Sequence, residues 1–275
     1  MLKFNQSASL AKAKLGFSLS WSGMDAAALS ESFSLPGIDA LELPLETIPQ
    51  KRMDKLYATH PELRLHGGRL IDKSISQNLT MAPLKMQRSF AGQAVKIIER
   101  AKANGFSTVS LDLGLESALG DPELRQKALE LIRLLAPALL KSNLVLELPC
   151  RVPSLVAPGW PAQLALFIKD CMVPGVKASL EVHPHELQPD FQPQALIRGL
   201  EFDVSSVILM YNVDSGNRIV KAHLEPWAAL LARFGFYGPY LLCPKSNDRS
   251  RLPAECVSLA NLLSSIRKEA ASAVC

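Results

Sequence analysis

The chain has 275 residues, 48% of them hydrophobic and 20% charged, the ordinary balance of a globular protein with a sizeable core. Its net charge of +4 tolerates an anionic ligand but is too small to mark a nucleic-acid surface. Five cysteines with no CxxC pair argue against a disulfide framework, and no apolar run suits a signal core or a membrane span, so a cytoplasmic protein is expected.

Taken in chain order, short apolar runs alternate with helical patterns. Residues 15–21 (LGFSLSW) read as a strand and 23–35 as a helix; 39–46 (DALELPLE) as a strand and 48–60 as a helix. LRLHGG, 63–68, is strand-like, and a polar segment follows from Leu70 to Met86. The run 89–105 is a helix closed by a glycine, and 106–114 (FSTVSLDLG) a strand. Asp121 as N-cap and Pro122 at the first helical position open a helix over 122–142. Strands then follow at 144–150 (LVLELPC), 176–183, 205–213 and 237–243. Helices are read near 161–172, 193–200, 217–235 with an interruption at Pro226, and 252–271.

Such alternation implies parallel strands with helical crossovers, and eight units in about 250 residues fit a closed (β/α)8 TIM barrel of the α/β class. The competing open, doubly wound sheet would carry a Gly-rich phosphate loop; HGGRL is not GxGxxG and no GxxxxGK[ST] occurs. One domain over 1–275 is expected, with 1–14 as an N-terminal extension and 252–275 as the closing helix.

Barrel chemistry sits at the C-terminal ends of strands, and side chains alternate between interior and exterior. In order, the ends supply Ser18 and Ser20; Glu42 and Glu46; Arg64 and His66; Ser110 and Asp112; Glu147; Glu181 and His183; Tyr211 and Asn212; and Cys243 followed by Lys245. Each alone is an ordinary solvated rim residue. Glu147 and Glu181 differ, because apolar residues flank both, and a buried carboxylate needs a partner, a metal or a proton. Glu147 is expected to face the barrel mouth. The loop PKSNDRSR, 244–251, offers Lys245, Ser246, Arg249 and Arg251 to a phosphate, or is a solvated loop.

The segments DALELPLE, LRLHGG, AVKIIERAKANGFSTVSLDLG and ALELIRLLAPALLKSNLVLELP together resemble the xylose isomerase-like barrels of sugar-phosphate isomerases and epimerases. The resemblance covers most of the chain. It implies a divalent cation, Mn, Mg or Zn, held by a glutamate on strand five, an aspartate or histidine pair on strand six, a histidine on strand seven and a glutamate on strand eight. Carried over, Glu147 matches strand five, while Glu181 and His183 match strand six in part. Strand seven offers Tyr211 and Asn212 instead of histidine, and strand eight Cys243 and Pro244 instead of glutamate, so a barrel without metal is equally expected. The resemblance implies isomerisation or epimerisation of a small sugar-like, optionally phosphorylated substrate. Glu147, Glu181 and His183 would be catalytic, and Glu42, Arg64, His66, Asp112, Asn212 and Lys245 would contact substrate. A metal-free proton-transfer cluster, an imine-forming Lys245 and a non-catalytic barrel that binds a ligand or protein remain open beside it, as does a homodimer. No nucleic-acid or membrane partner is expected.

Overall fold

The computed structural model describes residues 13–19, 38–45, 64–71, 73–153, 159–188, 203–233 and 238–272, with single positions between. Eight parallel strands, β1 (Lys14–Ser18), β2 (Ala40–Pro44), β3 (Arg64–Arg69), β4 (Thr108–Ser110), β5 (Val145–Arg151), β6 (Val176–Val182), β7 (Val204–Asn212) and β8 (Pro239–Lys245), pair in sequence order. The β8–β1 ladder, Lys14↔Pro239 to Phe17↔Leu242, closes the barrel. The expected (β/α)8 architecture is therefore observed. The helices read at 23–35, 48–60 and 193–200 lie wholly or largely outside the described residues.

Alternation sorts each strand. Leu15, Phe17, Leu41, Leu43, Leu146, Leu148, Leu180, Leu209 and Leu242 join the main core, which the helices cover. Complete burial of one such side chain contributes about 1.5–3 kcal/mol. The opposite set faces the lumen: Ser18, Glu42, Ser110, Glu147, Ser179 and Glu181 on one side, and a separate apolar cluster of Ile208, Met210, Leu241 and Cys243 with Ala40 on the other.

Local chemistry accounts for the helices. In α1 (Lys73–Met81) the buried face is Ser76, Leu79 and Thr80, while Ile75 and Met81 are exposed. This helix lies in the segment read only as polar. Next, α2 (Leu84–Ala103) ends in paired bonds from Phe106 N–H to Ala101 O and Gly105 N–H to Lys102 O, with Gly105 at φ 73°. One short turn, α3 (Leu115–Ala118), precedes α4 (Pro122–Ser142), where Asp121 Oδ1 accepts from Glu123 N and Leu124 N as the sequence predicts. Asn143, at φ 52°, closes α4 with the same bond pattern through Leu144 and Leu139. The remaining helices are α5 (Trp160–Asp170), α6 (Lys221–Arg233) and α7 (Leu252–Ser272). The expected break at Pro226 does not occur: α6 runs through it.

Pro149 and Pro244 sit where a neighbouring strand has run out. Glu147 O accepts from Leu111 N, so the backbone polar groups of Glu147 and, two residues on, Pro149 face β4, which ends at Ser110. Pro244 lies beyond Phe17↔Leu242, the last register pair with β1, and β8 continues to Lys245 rather than ending at Cys243. Among the described residues no helix is long and apolar enough to cross a membrane.

Candidate active site

The register between β2 and β3 shifts at Leu41/Glu42. This bulge turns both His66 and Gly67 toward the lumen. The carbonyl of His66 accepts from Thr108 Oγ1 at 2.6 Å and Ser107 Oγ at 2.8 Å, which satisfies it at the irregularity. His66 then reaches past β4 to β5, with Nε2 2.9 Å from Glu147 Oε1. Glu42 accepts from Ser18 Oγ and from Ser110 Oγ, the latter at 3.0 Å. Gly67 leaves room between the two carboxylates: a Cβ there would sit 3.2 Å from Glu42 Cγ and 3.4 Å from Glu147 Oε2.

Both carboxylates are 1% exposed, and the His66 side chain is 11% exposed. Burial, and then the Glu147 charge, push the Glu42 carboxyl up to about 7, against hydrogen bonds from Ser18 and Ser110 and the charge of His66. Burial also opposes ionisation of Glu147, but the His66 charge and hydrogen bond, with hydrogen bonds from Ser205 and Ser206, outweigh it and hold this carboxyl low. Burial disfavours the His66 cation too; Glu147 and then Glu42 more than compensate and raise it. The surroundings thus favour a protonated His66 beside an ionised Glu147, next to a Glu42 carboxyl raised to about 7.

The other sequence-read residues lie elsewhere. Glu147 is the third residue of the seven in β5, so it sits inside the barrel rather than at its mouth. Its register partner on β6 is Lys177, whereas Glu181 pairs with Arg151, four residues higher. Glu147 and Glu181 therefore occupy different levels. His183 Nδ1 lies 3.3 Å from Glu186 Oε1, and Glu186 also pairs with Arg151. Asp112 is buried and its Oδ1 accepts from Gly114 N at 2.8 Å, holding the turn before α3. Asn212 is exposed; its Oδ1 accepts from Asp214 N at 2.8 Å. Tyr211 faces outward, donating to Glu255 Oε1 at 3.0 Å. Lys245 is half-buried at the end of β8. Arg64 lies on β3, and its side chain, like that of Arg249, is outside the described residues, as are Ser20 and Glu46.

The donor set of the described residues does not fit a divalent cation. Among the described residues no three His, Cys, Asp or Glu side chains come together to hold one. Ile208, Met210, Leu241 and Cys243 make the β7–β8 wall apolar, and burial pushes the Cys243 thiol well up, away from the thiolate a metal needs. Sequence reading missed the bridging roles of Ser18, Ser110 and Gly67 and the Ser179–Ser206 hydroxyl pair at 2.7 Å. Their signal was a small polar residue two positions from, or across a ladder from, an isolated charge.

No family model matches the sequence, and no curated protein matches it. Solved structures match over nearly the whole chain. D-psicose 3-epimerase from Clostridium cellulolyticum H10 superposes with a TM-score of 0.64 at 14% identity, covering 94% of this chain and 97% of its own. A 3-keto-D-glucoside 4-epimerase from E. coli gives 0.62 at 12% identity, covering 91% and 99%. A xylose isomerase-like TIM barrel protein from Mycobacterium smegmatis, solved with magnesium, gives 0.56 at 15% identity, covering 94% and 99%. The chain has the fold of the xylose isomerase-like TIM barrels, which sugar epimerases share.

Proposed function

We propose that the protein is a sugar isomerase- or epimerase-like enzyme that moves a proton on a small hydroxy-carbonyl substrate, with Glu42, His66 and Glu147 as its proton-handling group. The observation that carries this reading is the buried Glu42 carboxyl, bonded to Ser18 and Ser110 and set across Gly67 from the His66–Glu147 pair, a setting that pushes it up to about 7. Two carboxylates whose surroundings separate their affinities for protons form an acid/base pair, and a pKa near the working pH suits either direction of transfer. His66, the most exposed member, meets the substrate side, and Glu147 favours its charged form. The imidazolium supplies positive charge for a developing enediolate oxygen. On this reading Glu181, His183, Asp112 and Lys245 contact substrate hydroxyls. The names of the structural neighbours, epimerases of ketoses and of a keto-glucoside, support the substrate class. The four described cysteines are all free and buried, in keeping with a cytoplasmic setting.

The apolar β7–β8 wall favours a second reading, a barrel that binds a sugar-like ligand without turning it over. Incubation with ketoses and aldoses in D2O separates the two. Deuterium entering the carbon beside the carbonyl, and lost in Glu42→Gln, supports the enzyme. A ligand that raises Tm without any exchange means the binding reading is right.

A further inference from the structure

The loops after the last two strands of a barrel commonly form its phosphate site. Here those two loops are joined by a carboxylate of the chain itself. Asp214, in the turn after β7, accepts from Ser246 Oγ at 2.6 Å and Arg251 Nη1 at 3.1 Å through Oδ1, and from Asn247 N at 2.7 Å through Oδ2. These donors all come from the loop after β8, the segment whose sequence offers itself to an anion. Asn212 holds Asp214 in place by accepting from its backbone N, and Gly216, at φ 73°, closes the turn. A second acid, Asp248, takes the backbone N of Ser250 at 3.1 Å and its hydroxyl at 2.6 Å. The hydrogen bonds from Ser246 and Asn247 hold the Asp214 carboxyl below its usual range, so it is ionised wherever a phosphate would be.

We infer that Asp214 is a built-in anion filling the phosphate position of this barrel, and that it selects unphosphorylated over phosphorylated ligands. The geometry offers an incoming phosphate two acidic groups and donors that are already engaged. Discrimination then comes from repulsion and from the cost of displacing good hydrogen bonds, not from a missing positive charge. Lys245 and Arg251 would otherwise invite a phosphate. Asn212 acts here as a positioning residue for Asp214.

The inference rests on the sugar-ligand reading for its substrate, but its test does not. Thermal unfolding of the full chain is followed with inorganic phosphate, with chloride at matched ionic strength, and with D-fructose beside D-fructose 6-phosphate. Wild type should ignore phosphate beyond the chloride effect. Asp214→Ala, with the position emptied, should gain about 3 °C in ~20 mM phosphate and shift its preference toward the phosphorylated ketose. If the alanine variant does not fold, Asp214→Asn removes the repulsion but leaves the position filled, and should show a smaller gain of the same sign. Phosphate stabilising wild type as strongly as the variant, or stabilising neither, overturns the inference. A wild type that passes the phosphate test yet answers to no ketose or aldose tells only against the sugar reading.

Discussion

His66 on β3 and Glu147 on β5 are joined across β4, Nε2 to Oε1 at 2.9 Å. Glu42 on β2 is joined across β3 to Ser110 on β4 at 3.0 Å. The two links interleave, so four consecutive strands are tied inside the lumen through one charged cluster. Its proton balance, packing and metal preference each lead to a measurement.

The first concerns pH. The fold raises the Glu42 carboxyl from its ordinary 4.5 to about 7, so it favours the protonated form. Stability from this group is complete below pH 4.5 and is lost as pH rises through about 7; the loss is on the order of 3 kcal/mol at its upper limit. His66, also raised, contributes below its ordinary 6.5 and loses that contribution at higher pH. Glu147, lowered, contributes above 4.5 and loses stability as the solution becomes strongly acidic. Glu42→Gln should therefore raise Tm over wild type at pH 8 and change it little at pH 5. Equal shifts at both pH values would show that Glu42 is not proton-poised.

Breaking the His66–Glu147 pair should be costly. Glu147→Gln or His66→Gln leaves one buried partner uncompensated, at about 3 kcal/mol each. The double variant should lose less than the sum, because both charges leave together. Urea denaturation of the four proteins measures the coupling, and additive losses would mean that the two side chains do not act as a pair.

Glycine substitutions test the packing around the cluster. Gly67→Ala places a methyl 2.9 Å from Thr108 Oγ1 and close to both carboxylates, and should cost about 1–3 kcal/mol. Gly92→Ala, on α2 with nothing within 4 Å of the new Cβ, should instead gain about 1 kcal/mol from helix propensity. If the two variants have the same denaturation midpoint, the proposed crowding is not there.

Metal content is directly measurable. After growth with added manganese and zinc, elemental analysis of the purified protein should find well under one ion per chain, and EDTA should leave Tm unchanged. Near-stoichiometric metal that disappears in Glu147→Ala and His183→Ala would restore the metal-dependent reading.

Much of this arrangement is legible in the sequence. Glu147 between two leucines announces a buried carboxylate, and strict alternation assigns Glu42, Ser110 and Glu147 to the lumen. Their partners are not legible, because they depend on stagger between strands. The bulge at Leu41/Glu42 adds Gly67 to the inner face beside His66, which no period-two pattern predicts. Stagger also separates Glu147 from Glu181, two residues that look equivalent when each strand is read alone. Helix α1 escapes detection for a different reason: it buries Ser76 and Thr80 and exposes Ile75 and Met81, so its apolar period points the wrong way. Strand β8 is read two residues short, to Cys243, although it continues through Pro244 where the β1 ladder has already ended.

The division of the lumen into a charged wall and the wall of Ile208, Met210, Leu241 and Cys243 gives the interior a handedness of polarity. A sugar ring has one edge of hydroxyls and one face of C–H bonds. For the sugar-like ligand proposed above, that polarity favours one way round, hydroxyls toward the side of Glu42 and Glu147 and hydrocarbon toward the side of Met210. On that reading the apolar side is a backstop that sets which carbon faces the proton-carrying side.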